Sequence, residues 1–480
     1  MNMNEAPAAG NVTRSAAWRA LESAGTELFS FAVFALMTRL LVPEEFGIVA
    51  ICTSVILLLN CVINHGLPEA LIQPESVSDD QVRSAFAASL RISVLLTVVA
   101  CILAWPLATL LSRPTLPPIL AAMAPVLIVH GLSAPMHGML RRRMQFRSIA
   151  VRTLVGTLVG GACGLLLAKN GFGVWALVAQ QWTVALVGML IMTAASPVKP
   201  WTMRFDRQAL APLWAVARPV MVGHFVSTSA RRLDTVILGA MLSDHHVGIY
   251  FLAARLIQSV QMVTQWSIDE VAFVALARLQ GNLALHREGI RRVLRLTAYS
   301  CLLCFGGLAL VAPDLIPVLF GPTWNEVVEP LQWLCAFAVC GALIGSCGPI
   351  LVSGGMAREA SALAIGAALL QVVVIALTAR FGLVPMAIAI GVSQLVALMP
   401  ALLLVCRHYT IAPATVFGDL MPIVVCSVLA FVISLRVTEG HTLLGMIEVG
   451  GVFGTIMIAG GVVFFRQELR VLLSSRKRAA

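Results

Sequence analysis

The chain has 480 residues, 59% hydrophobic and 12% charged, with a formal net charge of +10 and a mean hydropathy of +0.91. A soluble globular domain carries about twice that share of charged residues, so a water-soluble fold is excluded. The basic excess lies in short segments between apolar runs rather than in one patch, which excludes nucleic acid as its reason.

Apolar windows of about 20 residues, each able to cross a hydrocarbon core of about 30 Å, recur along the chain and predict about fourteen transmembrane helices. In chain order they fall near 18–42, 47–65, 84–112, 117–140, 150–170, 173–195, 213–242, 247–270, 293–319, 327–352, 359–380, 383–407, 417–436 and 443–465. The class is all-α and polytopic. The first run contains Arg19, Glu22 and Glu27 and is too long for a signal-peptide core, so no cleavable signal is predicted. Lys and Arg concentrate in alternate loops, at 141–147, 199–207, 277–295 and 466–478, which predicts cytoplasmic N and C termini.

Eleven cysteines lie almost wholly inside apolar runs and are read as small packing hydrophobes. His245 and His246 share a short loop without a third ligand at helical spacing, so no metal is expected. No cofactor is expected either, and no phosphate loop is present that would make ATP the direct drive.

An internal repeat organises these spans. The turn LLVPEEFGI at 40–48 matches MLSDHHVGI at 241–249, SLRIS at 89–93 matches VLRLT at 293–297, LRRRMQFRSIA at 140–150 lies on LVSGGMAREAS at 351–361, and NGFGV at 170–174 lies on ARFGL at 379–383. The offsets cluster near 200, six spans apart, which preserves orientation. The predicted organisation is a cytoplasmic tail at 1–17, an N-lobe at 18–195, a linker at 196–212, a C-lobe at 213–407, two further helices in 408–465 and a basic tail at 466–480.

Superposing the lobes picks out buried polarity. In the first span Arg19, Glu22, Ser23, Thr26, Glu27 and Ser30 form one helical stripe. The repeat carries that stripe onto the seventh span, at His224, Ser227, Thr228 and Arg231. In the second and eighth spans Ser54, Asn60, Asn64 and Glu69 correspond to Arg255, Gln261, Gln265 and Glu270. A stripe of this kind must face protein or water. Two readings stand: a hydrated cavity between the lobes, or polar contacts joining packed helices. Arg231, Arg232 and Arg255 outnumber their one near acid, Asp234, which favours a cavity for an anion, since guanidinium forks match phosphate and carboxylate. Prolines and glycines inside spans, such as Pro125, Gly131, Pro135, Pro219, Gly223 and Pro385, permit bending or are simply tolerated.

Several segments resemble one family. GFGVWALVAQQW at 171–182, ARRLDTVILG at 230–239 with VGIYFLAARL at 247–256, ALIQ at 70–73, MQFRSIA at 144–150 and LIPVLFGPTWNEVVEPLQWL at 315–334 are similar to the polysaccharide-transport (Wzx-like) flippases of the multidrug/oligosaccharidyl-lipid/polysaccharide exporter superfamily. The resemblance implies a MATE-like, V-shaped fold of two six-helix lobes plus two C-terminal helices, with alternating access. It also implies translocation of a polyprenyl-pyrophosphate-linked oligosaccharide across a bacterial inner membrane, beside membrane lipids and a polymerase with its export machinery. Basic cavity residues carry over onto Arg231 and Arg255, with Arg232 adjacent and His224 and Thr228 on the same stripe. Glu22, Glu27 and Asp234 are the titratable groups for ion coupling, and Asn60, Asn64, Gln261 and Gln265 line the expected cavity. Three other readings remain: a drug or cation antiporter of the same superfamily, against which the arginines argue; a membrane glycan polymerase or glycosyltransferase using Glu44 and Glu45, against which the short loops argue; and a non-transporting scaffold, which would not need charges buried at repeat-related positions.

Overall fold

A computed structural model describes residues 27–74, 76–196, 198, 203–279, 282–436 and 443–466. Every regular element in them is helical. In chain order they are α1 (Glu27–Thr38), α2 (Pro43–Asn64), α3 (Leu67–Ile72), α4 (Asp79–Leu111), α5 (Leu116–Met123), α6 (Val126–Arg142), α7 (Phe146–Lys169), α8 (Val174–Ala195) and α9 (Arg207–Met241). Then follow α10 (Asp244–Gln261), a π-helical turn (Met262–Trp266), α11 (Ser267–Arg278), α12 (Leu283–Phe320), α13 (Val328–Ser353), α14 (Ala357–Thr378), α15 (Leu383–Tyr409), α16 (Pro413–Leu435) and α17 (Leu443–Phe464).

Eleven segments among the described residues are long and apolar enough to cross a membrane, which makes this a multi-pass membrane protein. The other three expected spans fall on α1 and α17, whose apolar helices are shorter there, and on α9, which has 35 residues. At about 1.5 Å per residue α9 is about 50 Å long, more than a hydrocarbon core requires. Two of the membrane-length segments are broken rather than straight. Leu116–Arg142 is interrupted at Ala124 and Pro125, where α5 gives way to α6. Pro43–Ile72 turns at Gly66, whose φ of 114° an L side chain rarely adopts, and then continues as α3.

Side-chain caps set several helix starts beyond the apolar windows. Ser78 and Gln81 exchange hydrogen bonds between side chain and backbone at the head of α4, with Gln81 N donating to Ser78 Oγ at 3.2 Å and Ser78 N to Gln81 Oε1 at 2.9 Å. Asp206 Oδ1 accepts from Gln208 N at 2.8 Å and from Ala209 N at 3.3 Å, so α9 begins six residues before its expected span. The basic segment 277–295, expected as a loop, is largely the first turns of α12. Asn282 caps it by accepting from Leu285 N at 3.2 Å, Ile290, Val293 and Leu294 are buried at helical spacing, and Arg291 pairs with Asp419 of α16 at 2.7 Å on another face.

The chain divides into two compact units, residues 1–248 and 249–480. In the first, α7 packs on α8, α6 on α3, α4 and α8, and α9 on α2, α3 and α4. Its core gathers Leu67, Phe86, Met136, Leu140, Met192, Leu213 and Met221 from α3, α4, α6, α8 and α9. The helix expected to open the second lobe thus packs within the first unit. In the second unit α13 packs on α12 and α15, α14 on α15, and α16 with α17 on α12. Phe453 of α17 lies against Gly306 of α12, where a Cβ would come within 2.6 Å of its ring.

Backbone approach makes one glycine critical. A Cβ at Gly138 of α6 would meet the Pro68 carbonyl oxygen of α3 at 2.9 Å, whereas one at Gly366 of α14 would meet nothing within 4 Å. Gly138→Leu should cost about 1–3 kcal/mol by overpacking and lower the melting temperature of the detergent-solubilised protein. Gly366→Leu should leave it within a degree or two, as fluorescence-detected size exclusion after heating would show.

Candidate functional site

Two clusters of functional interest lie in the first unit. At the start of α2 and α10, repeat-related backbone segments meet face to face. A Cβ on Gly47 would overlap the carbonyl oxygen of Asp244, and a Cβ on Gly248 would overlap that of Pro43. Pro43 and Asp244 are themselves repeat mates, as are Gly47 and Gly248, so the contact is reciprocal. Glu44 and His245 form a third such pair, with His245 Nδ1 2.8 Å from Glu44 Oε1. These are the residues whose sequence reading offered catalysis or turn chemistry; the structure pairs them with each other. Glu45 Oε2 instead accepts from Val42 N at 3.1 Å, as an N-terminal cap, and His246 Nδ1 meets Ser243 Oγ at 2.7 Å.

Arg113, in the turn from α4 to α5, closes this cluster. It is 6% exposed, ion-pairs with the Asp244 carboxylate and donates to the Leu242 carbonyl oxygen at 2.5 Å. Leu242 ends α9, so the guanidinium also satisfies a carbonyl that the helix leaves open. Sequence reasoning missed Arg113, because its partners come from a turn 129 and 131 residues away.

The second cluster lies where α2 breaks into α3. His65 and His224 of α9 stack with ring centroids 3.8 Å apart and an interplanar angle of 5°. His65 Nδ1 lies 3.4 Å from Glu69 Oε1, Glu69 Oε2 accepts from Gly66 N at 2.7 Å, and Arg141 Nη1 of α6 sits 3.7 Å from Glu69 Oε1. The neighbouring Arg142 donates to the carbonyl oxygens of Leu71, Ile72 and Pro74 at 3.0, 3.3 and 2.6 Å, covering the end of α3. His224 is a sequence-predicted site residue. Its stacking partner His65 and the Arg141 that sits beside Glu69 are not, because the expected second span ended at residue 65 and the Gly66 turn was not foreseen.

The other predicted residues divide between the units. Thr228, one turn beyond His224, and Asn64 are half-buried. Asn60 is 8% exposed, and its Oδ1 is buried without a hydrogen-bond partner among the described residues. Glu27 opens α1 and is half-buried, whereas Glu22 lies outside the described residues. Arg231, Arg232 and Asp234 occupy a single turn of α9, and their side chains lie outside the described ones. Arg255 on α10 and Gln261 at its end are half-buried in the second unit. Gln265, expected to line a cavity, is 7% exposed and donates to Asp269 Oδ2 at 3.2 Å: it sits on the π-helical turn, which changes the helical register after Gln261.

Comparison with known proteins extends these observations. A family model described as "Polysaccharide biosynthesis protein" matches residues 36–329, more than half of the chain. The succinoglycan biosynthesis transport protein ExoT of Rhizobium meliloti (strain 1021) is 28% identical over 317 residues, covering 66% of this chain and 64% of ExoT. The lipopolysaccharide biosynthesis protein WzxC of Escherichia coli (strain K12) is 20% identical over 329 residues, covering 66% of this chain and 65% of WzxC. The match thus spans just under two thirds of the length of these two relatives. Among solved structures, the lipid II flippase MurJ in an inward closed conformation superposes with a TM-score of 0.76 at 10% identity, over 94% of this chain and 99% of that one. An inward-facing MATE transporter of the MOP superfamily superposes with a TM-score of 0.66 at 15% identity, over 80% and 94%. At such identities the likeness is one of fold. The chain is therefore a member of the polysaccharide biosynthesis protein family, built on the helical fold that MurJ and MATE transporters share.

Proposed function

We propose that this protein is a flippase that moves a polyprenyl-pyrophosphate-linked oligosaccharide, an exopolysaccharide or O-antigen repeat unit, across a bacterial inner membrane. The observation that carries the reading is α9, a helix of membrane-crossing length with His224, Thr228, Arg231, Arg232 and Asp234 along it. Each arginine at mid-bilayer depth costs about 2.5–3.5 kcal/mol on insertion scales. A transporter of a diphosphate has a use for such groups. A transporter of organic cations does not, and for that reason the antiporter reading ranks second although MATE proteins share the fold.

The chemistry follows from the cargo. A pyrophosphate with its sugars cannot enter hydrocarbon without losing its hydration, whereas an isoprenoid tail stays there at no cost. Arg231, Arg232 and Arg255, with His224, would replace part of that hydration with charge-assisted hydrogen bonds. The alternating Lys and Arg loops support cytoplasmic termini, and with that orientation the starts of α2 and α10 would lie on the periplasmic side. There, Arg113 with Asp244, Glu44 with His245, and the Gly47 and Gly248 backbones hold the helices together. Release of cargo outward requires these contacts to part and access to alternate. Product consumption by a polymerase, or an ion gradient acting on Glu22, Glu27 or Asp234, would make the movement directional.

Arg231→Ala or Arg255→Ala should abolish glycan export in cells lacking their own copy, while membrane levels of the protein stay near normal. Lipid-linked oligosaccharide would accumulate in the inner leaflet, and loss of the protein itself would point to a structural role instead. Arg231→Lys should retain a minor part of the activity if bidentate contact matters. Joining Glu44→Cys to His245→Cys with a short bismaleimide should block export, while the same double variant left uncrosslinked should export. Full export by the crosslinked species would show that transport does not require this contact to open.

A further inference from the structure

A second polar cluster, centred on the half-buried Asp269, lies in unit 249–480, where neither the repeat nor the proposed cargo requires one. Asp269 of α11 accepts from Ser346 Oγ of α13 at 2.6 Å and from Gln265 Nε2 on the π-helical turn at 3.2 Å. Ser346 Oγ in turn lies 3.4 Å from Thr297 Oγ1 of α12, and both hydroxyl residues are fully buried. A Cβ at Gly345 would overlap Gln265 Nε2, so the glycine leaves room for that amide. Around the group stand Ala272, Val293, Ala298, Leu343, Cys347 and Ile350 of the unit's apolar core.

No cationic side chain faces this carboxylate among the described residues. The titratable groups near it are the thiols of Cys301 on α12 and Cys347 on α13, and the side chains of Glu270 and Arg278 on its own helix lie outside the described ones. A carboxylate in apolar surroundings with only neutral donors is poised between two states. Ionised, it accepts from Ser346 and Gln265. Protonated, its hydroxyl donates to Ser346 Oγ, and the serine turns its own hydrogen toward Thr297. Both states are hydrogen-bonded, so exchange of the proton needs rotation of hydroxyls and no repacking of the core. The two states differ in their hold on Gln265. That residue sits on the π-helical turn, a register change of the kind that marks movable points in helices, and the turn joins α11 to α10, the helix of Arg255.

We propose that Asp269 is a proton-binding site that loads and unloads once per transport cycle, biasing the π-helical turn and with it α10. The bond formed is O–H on Asp269. The proton comes from water on one side of the membrane and returns to water on the other. The proposal rests on the transport reading above and names a coupling group distinct from Glu22, Glu27 and Asp234.

The test uses the full chain reconstituted in proteoliposomes on a solid-supported membrane, without cargo. A pH jump should give a transient current in the native chain. Asp269→Asn should remove most of it while the protein elutes as one species from size exclusion. Ser346→Ala, which deletes the shorter hydrogen bond to the charged form, should keep the current and move its midpoint up by about one pH unit. A native-size current from Asp269→Asn, or an unmoved midpoint in Ser346→Ala, would overturn the proposal. So would a sodium jump at constant pH whose current Asp269→Asn abolishes, since the site would then hold a metal cation. Lipid-linked glycan is absent from this measurement, so its outcome does not depend on the cargo; a chain that gives the pH response yet exports no glycan in cells would count against the flippase reading and leave proton binding at Asp269 standing.

Discussion

The arrangement depends on the cost of charge in hydrocarbon. Guanidinium, imidazole and carboxylate groups on spanning helices must turn toward protein or water, and the packing of α9 follows that requirement. Its His224 lies flat on His65, beside Glu69 and Arg141, while its apolar Leu213, Ala217 and Met221 join the core with α3, α4, α6 and α8. On α12 Arg291 likewise finds an acidic partner, Asp419.

The repeat gains physical meaning at the start of α2 and α10. Repeat-related turns 201 positions apart meet here, and each turn's glycine admits the other segment's carbonyl oxygen. Exchange of two equivalent segments makes such a contact self-complementary, as at a two-fold interface. Arg113 breaks the equivalence. The segment LSRPT at 111–115 corresponds to FGPT at 320–323 with Gly321 in the place of the arginine, so only the first copy supplies a cation to the turn. One charged clasp then acts on an otherwise symmetric joint, an economical way to make a contact that can be held or released.

Much of the architecture was legible because bilayer thickness and hydropathy fix it: the all-helical class, the membrane location and most spans follow from composition and window length. Boundaries were less so. The start of α12 reads as a basic loop until Ile290, Val293 and Leu294 are set on one helical face, and Gly66 hides a break that places Glu69 beside His65. The π-helical turn has no periodic signature, so Gln265 was placed on the cavity face with Gln261, although one inserted residue of register turns it toward Asp269. The candidate arginines were legible as charges out of place. Their counterparts His65 and Arg113 were not, since both depend on contacts over more than a hundred residues.

The central claim is that α9 presents cations to water at mid-membrane depth. Cysteine accessibility tests it most directly: Arg231→Cys, against the background of the native thiols, is exposed in cells to small charged methanethiosulfonates applied from either side. The account predicts that the anionic reagent modifies position 231 from an aqueous side, and that it does so more slowly when lipid-linked oligosaccharide is abundant. A thiol at 231 that reacts with neither the anionic nor the cationic reagent from either side, yet is readily modified by a lipid-soluble maleimide, would place the residue against acyl chains and contradict it.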